Sequence, residues 1–165
     1  DEMSSRGLGD VYKRQVYSRI KYGINIYGQA GSSKINKIQT LQNQLLKVLS
    51  GKKYRYSTKK LHKELDVLLI EDLAKQELLT FVHNYFSNSL PPVFDNYFEM
   101  VNHSYQTRNG PNLIRIKKHN TDIAAASVLV KDAKLWNDLD NSFKTPTNRK
   151  TFRAFFKSET IKLYN

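Results

Sequence analysis

Six cations, Lys52, Lys53, Arg55, Lys59, Lys60 and Lys63, fall within the thirteen residues from Gly51 to Lys63, a stretch without an acid. Tyr54 and Tyr56 lie between them. Lysine and arginine neutralise phosphates and an aromatic ring stacks on an unpaired base, so the combination suits nucleic-acid binding. The same run also reads as a solvated loop between helices, with its tyrosines anchoring it to the core. A second basic group is Arg108, Arg115, Lys117, Lys118 and His119, and a third is Lys150, Arg153, Lys157 and Lys162. The third has the spacing of one wet face of an amphipathic helix.

Other chemistry finds little support. Glu71-Asp72 reads as charge in the first turn of a helix, where the positive end of the helix dipole stabilises it. Asp138 and Asp140 read as a solvated turn after Trp136. The histidines, His62, His83, His103 and His119, share no metal-ligand spacing, and no cysteine accompanies them. No serine sits in a Gly-x-Ser-x-Gly elbow, and no glycine loop carries the lysine-serine ending that cradles phosphate. No catalytic residue, metal site or cofactor is expected.

The elements that must present the cations read as helices. Val16, Ile20, Ile24 and Tyr27 recur about every four residues, which predicts a helix over 16–30 despite Gly23 and Gly28. After Gly31, Ser32 and Ser33 offer caps to a longer helix. Ile35, Ile38, Leu41, Leu45, Leu46, Val48 and Leu49 form its apolar stripe, and Gly51 stops it. Ser57 or Thr58 caps a short helix through Leu65. Ile70, Leu73, Ala74, Leu78, Phe81, Val82, Tyr85 and Phe86 then line one face of the clearest periodic segment, which Leu90-Pro91-Pro92 ends. Residues 100–120 read as a loop-rich connector, with Ile114-Arg115-Ile116 hinting at a short strand. A helix over 124–139 surrounds Trp136, which reads as core and, like Tyr22 and Tyr27, as a stability residue. A last helix opens after Pro146, capped by Thr147, with Phe152, Phe155, Phe156 and Leu163 as its apolar face. The expected fold is mostly α, five to seven helices, with a helical region over 16–99 and a connector plus C-terminal helices over 100–165.

The first fifteen residues resemble the conceptual translation of a sequencing adapter and are expected to be a disordered leader, outside the fold. Their three bases cancel their three acids, so the net charge of +12 (27 Lys and Arg less 15 Asp and Glu) belongs to residues 16–165. An isoelectric point near 9.8 points to a polyanionic partner, nucleic acid before membrane. At 39% hydrophobic the chain can bury a core, and about 150 residues suit an ordinary domain. No apolar run approaches the roughly 18 residues a membrane span needs. The absence of cysteine fits an intracellular setting, nucleus or cytoplasm.

Three blocks in fixed order carry a family resemblance: Tyr22-Gly23-Ile24-Asn25-Ile26-Tyr27-Gly28, Ser89-Leu90-Pro91-Pro92-Val93-Phe94 and Lys134-Leu135-Trp136-Asn137-Asp138-Leu139. Together with the helical stretches between them, they resemble the thumb and C-terminal region of reverse transcriptases of non-LTR, jockey-like retrotransposons. Asp132-Ala133-Lys134 stands where the family often has glycine-proline before the third block. The family's catalytic motif, an aromatic residue, a variable one and two aspartates, does not occur in this sequence.

The resemblance implies a helical thumb-like region and a non-catalytic C-terminal fragment of an RNA-directed DNA polymerase that grips template-primer nucleic acid. Its partners would be an RNA-DNA duplex or RNA, and the fingers and palm of the polymerase, with no small-molecule substrate and no membrane. It places the grip on the matching helix and loop, that is on Lys34, Lys37, Lys47, Lys52, Lys53, Arg55, Lys59 and Lys60, to which Tyr54 adds base stacking. The alternative is a basic helical protein-interaction module without polymerase ancestry.

Overall fold

Apolar residues repeating every three to four positions dictate helices, and helices form. The computed structural model describes residues 12–101, 113–116, 118, 120–121, 127–144 and 148–164. A π-helical turn, Tyr12–Tyr17, leads into α1 (Ser18–Lys21), α2 (Ile24–Tyr27), α3 (Ser32–Leu49), α4 (Thr58–Glu64) and α5 (Ile70–Phe86). A 3-10 turn, Pro92–Phe94, α6 (Val128–Asp138), α7 (Asn141–Lys144) and α8 (Arg149–Lys162) follow. The fold is mostly α, with no strand among the described residues. Residues 12–15 of the expected disordered leader belong to the π-helical turn, and residues 1–11 lie outside the described residues.

The chain divides into two compact units, Asp1–Ala74 with Lys157–Asn165, and Lys75–Phe156. α5 and α8 therefore each contribute to both. The division expected after residue 99 falls within the second unit.

In the first unit, Ile24, Ile35, Leu68, Ile70, Leu73, Ala74, Ile161 and Tyr164 form the main core, and Leu46, Leu61 and Val67 a smaller one. The helix expected over 16–30 is broken, because Gly23 adopts φ 70°, a left-handed conformation that glycine takes without steric cost. The break turns Tyr22 out to solvent, where it packs little for the stabilising role expected of it, while Tyr27 stays half-buried and donates its hydroxyl to the Ile20 carbonyl. Gly28 closes α2 against α5, since a Cβ there would lie 2.8 Å from the Ala74 Cβ.

The stripe on α3 is narrower than its apolar content suggests. Ile35, Gln42 and Leu46 are buried, whereas Leu41 and Val48 are 65% and 77% exposed. The reason is angular: with about 100° per residue, positions 35, 42 and 46 share an arc that 41 and 48 miss. The expected serine cap is also absent, for Gly31 holds the cap position with no side-chain bond. At the other end Gly51, at φ 61°, closes the helix as expected. Ser57 caps α4, accepting from the Lys60 N–H.

In the second unit, Leu79, Val82, Phe98, Ile114, Ala133, Trp136, Phe152 and Phe156 form the core. Trp136 is buried and stacks on Phe86 at 5.0 Å. Phe94, from the proline-rich block, packs edge-on against Phe81 at 5.3 Å. The strand expected at Ile114-Arg115-Ile116 is instead a single antiparallel bridge between Met100 and Ile114. Where a further strand would pair, the Asn137 amide takes both backbone groups of Ile114, accepting from its N–H at 3.0 Å and donating to its carbonyl at 2.8 Å. α6 starts at Val128 with Ser127 as cap; residues 124–126 of its expected span lie outside the described residues. Thr147, the cap expected for α8, also lies outside them, and Asn148 does the capping, accepting from the Lys150 and Thr151 N–H groups at 2.7 and 3.2 Å. Just past the end of α8 Leu163 is exposed, and Ile161 and Tyr164 are buried in its place.

Candidate nucleic-acid interface

The basic surface of the first unit is set by what α3 buries on its other side. Gln39 accepts from the Ile70 N–H at 2.7 Å, and Gln42 donates to the Leu68 carbonyl at 3.2 Å. His62, fully buried, places Nδ1 3.0 Å from the Val67 carbonyl and Nε2 2.9 Å from the Asn43 side-chain oxygen. Burial holds its pKa below the ordinary imidazole value, against the opposing influence of the Val67 carbonyl and Asp72. These bonds staple the segment between α4 and α5 to α3 and fix which arc of α3 faces water. That arc carries Lys34, Lys37, Leu41, Gln44 and Val48, all exposed.

Past Gly51 the chain organises around two rings with different surroundings. Tyr56 is half-buried, donates its hydroxyl to Glu64 at 2.5 Å and has Lys52 and Lys60 4.8 and 5.8 Å from its ring centre. The bond to Glu64 pushes the Tyr56 phenol pKa up. Lys52 also lies 3.9 Å from the same carboxylate. Tyr54 is 84% exposed, and Lys47 donates to its carbonyl at 2.5 Å while its ammonium stands 5.3 Å from the ring centre.

The expected binding residues thus sort into two kinds. Lys47, Lys52 and Lys60 are engaged with the loop's two tyrosines, whereas Lys34, Lys37, Lys53, Arg55 and Lys59 are exposed and have no side-chain partner among the described residues. Lys34 and Lys37 stand roughly 15 to 20 Å along α3 from Lys47, at 1.5 Å per residue. A polyanion spanning that length would meet cations at both ends.

The other basic groups fare differently. Of the second, Arg115 and Lys118 are exposed, and Arg108, Lys117 and His119 lie outside the described residues. In the third, Arg153 makes a two-pronged ion pair with Glu77, Lys157 pairs with Asp66 and Lys162 with Glu159, leaving Lys150 without an ion pair among the described residues. That wet face is largely neutralised.

Sequence reading missed Glu64 and the polar set Gln39, Gln42, Asn43 and His62. Glu64 stands one residue past the acid-free run, and nothing in its local sequence marks it as the partner of Tyr56. Gln42, seven residues after Ile35, sits on the buried arc, and that register was the available signal. Among the described residues, no group of three or more histidines and carboxylates is placed to hold a metal ion, and no helix is long and apolar enough to cross a membrane. Comparison with known protein families, with curated proteins and with solved structures finds no match to this chain.

Proposed function

We propose that the chain is a non-catalytic C-terminal part of an RNA-directed DNA polymerase of a non-LTR retrotransposon, and that it grips template-primer nucleic acid with the outward arc of α3, the loop after Gly51 and α4. The observation that carries the binding role is the set of exposed, unpartnered cations Lys34, Lys37, Lys53, Arg55 and Lys59 on one unit, beside an exposed aromatic ring. The polymerase ancestry rests on the three sequence blocks. Their residues do structural work here: Gly23 and Gly28 shape the α2 turn, Phe94 packs against Phe81, and Trp136-Asn137 fills the core and satisfies Ile114. Fingers and palm of the same polymerase would supply the reaction chemistry.

Leu41 and Val48, exposed on the arc of α3 that carries Lys34 and Lys37, favour a second reading, a protein-docking face. Fluorescence anisotropy of the full chain on an RNA-DNA hybrid and on single-stranded RNA, from about 50 to 200 mM salt, separates the two, because each phosphate contact adds to the slope of affinity against salt. Steeply salt-dependent binding that prefers the hybrid supports the thumb role. Weak, salt-insensitive binding to both, by a chain that circular dichroism shows to be folded, replaces it with the protein-docking reading.

A further inference from the structure

Of the two tyrosines in the basic loop, only one is free to meet a ligand. Tyr56 is committed, with its hydroxyl on Glu64 and the ammonium groups of Lys52 and Lys60 within 5.8 Å of its ring centre. Tyr54 projects 84% exposed and belongs to none of the hydrophobic clusters among the described residues. It is nevertheless held. Lys47, anchored in the last turn of α3, binds its carbonyl and sets a cation by its ring, so backbone and ring are ordered together by one side chain.

From this geometry we infer that Tyr54 is a stacking platform for an unpaired base, with Lys53 and Arg55 on the flanking phosphates, so that this loop takes an unpaired stretch of the gripped template-primer while α3 and α4 hold its duplex. The inference rests on the nucleic-acid reading above and names the part of the ligand the loop takes. An ordered ring loses less freedom on binding than a mobile one, and any base offers a face to stack on. The paired bases of a duplex are already stacked on their neighbours, so a duplex flank offers Tyr54 only an edge or a phosphate. Lysine and arginine beside the ring supply the charge that a stacked nucleotide needs on its backbone.

The test compares the full chain with its Tyr54→Ala and Tyr54→Phe variants, each on a short labelled single-stranded RNA and on a blunt-ended RNA-DNA hybrid, by anisotropy over a salt series. Because Tyr54 is exposed, neither change threatens the fold, and circular dichroism checks this. Tyr54→Ala is expected to weaken single-strand binding on the order of tenfold, as loss of one base stack does. It should leave the salt slope unaltered and hybrid binding within about twofold, while Tyr54→Phe, which keeps the ring, retains wild-type affinity. Equal loss on hybrid and single strand, or no loss on either by a chain that still binds, overturns the stacking role and leaves the phosphate grip standing. Failure of the wild-type chain to bind either nucleic acid overturns both.

Discussion

The Tyr164 hydroxyl donates to Asp72 at 2.6 Å and accepts from the Leu69 N–H at 3.1 Å, joining residues 92 and 95 apart in sequence within the first unit. Its ring also stands edge-on to buried His62, at 6.4 Å. One side chain therefore ties the end of the chain to the first turn of α5 and to the segment that precedes it. Burial and the bond to Asp72 push the phenol pKa far above its ordinary value, so it stays a donor at any physiological pH. Tyr164→Phe keeps the ring and removes both bonds, which should cost about 1–3 kcal/mol, read as a lower urea midpoint at unchanged slope. A midpoint equal to wild type would show that water replaces the hydroxyl without loss.

Asp132 supplies a pH dependence of unusual sign. It is fully buried in α6, neither carboxylate oxygen has a hydrogen-bond partner among the described residues, and burial pushes its pKa up to about 8. The folded chain then holds a proton that the unfolded chain releases near pH 4, so stability present below that point is lost as pH rises toward 8. The slope is at most about 1.4 kcal/mol per pH unit over that window. Asp132→Asn removes the titration, and urea unfolding at pH 5.5 and 8 should show a smaller fall for the variant than for wild type. Parallel falls in the two proteins would mean that Asp132 ionises without cost.

What the sequence shows of this fold is its local part. Periodicity locates α3, α5 and α8 because each buries a stripe set by its own residues, and the Ser57 cap locates α4 through the Lys60 N–H three positions away. Tyr164 with Asp72, Arg153 with Glu77 and Asn137 with Ile114 join distant positions, and no pattern within either partner announces the other. The same limit governs the candidate site. The basic run is legible as composition, but which of its cations are free depends on Glu64, on Lys47 and on the acids that reach α8. Tyr54 and Tyr56 look equivalent in sequence, and only tertiary placement separates the exposed ring from the engaged one.

Two glycines at the ends of one short segment make opposite demands. A Cβ on Gly28 would lie 2.4 Å from the Ile24 carbonyl oxygen and 2.8 Å from the Ala74 Cβ, while one on Gly31 meets nothing within 4 Å. Gly28→Ala should therefore force backbone apart and destabilise by about 1–3 kcal/mol, as overpacking does. Gly31→Ser, at the uncapped start of α3, gives that helix an acceptor and should stabilise by a few tenths of a kcal/mol. Thermal unfolding of both variants checks the pair, and a Gly28→Ala melting point at or above wild type would show that α2 and α5 can separate freely.

Cations that look alike in sequence should separate by what their loss damages. Lys53, Arg55 and Lys59 are exposed and unpartnered among the described residues, so changing all three to glutamine should leave unfolding nearly unaltered. If each meets a phosphate, the change also lowers the salt slope of nucleic-acid binding by roughly 0.7–0.9 per residue. Arg153, Lys157 and Lys162 are committed to Glu77, Asp66 and Glu159. Of these, the Arg153 pair lies in the least exposed surroundings, and Arg153→Gln removes its two-pronged ion pair with Glu77. The triple glutamine change on α8 should therefore lower the urea midpoint, mainly through Arg153, and leave the salt slope near wild type. Measuring both quantities on both triple variants gives a crossed result if the assignment is right: slope without stability for the loop, stability without slope for α8. Equal losses of salt slope from the two would place nucleic acid on α8 as readily as on the loop, and would remove the ground for locating the grip at α3 and α4.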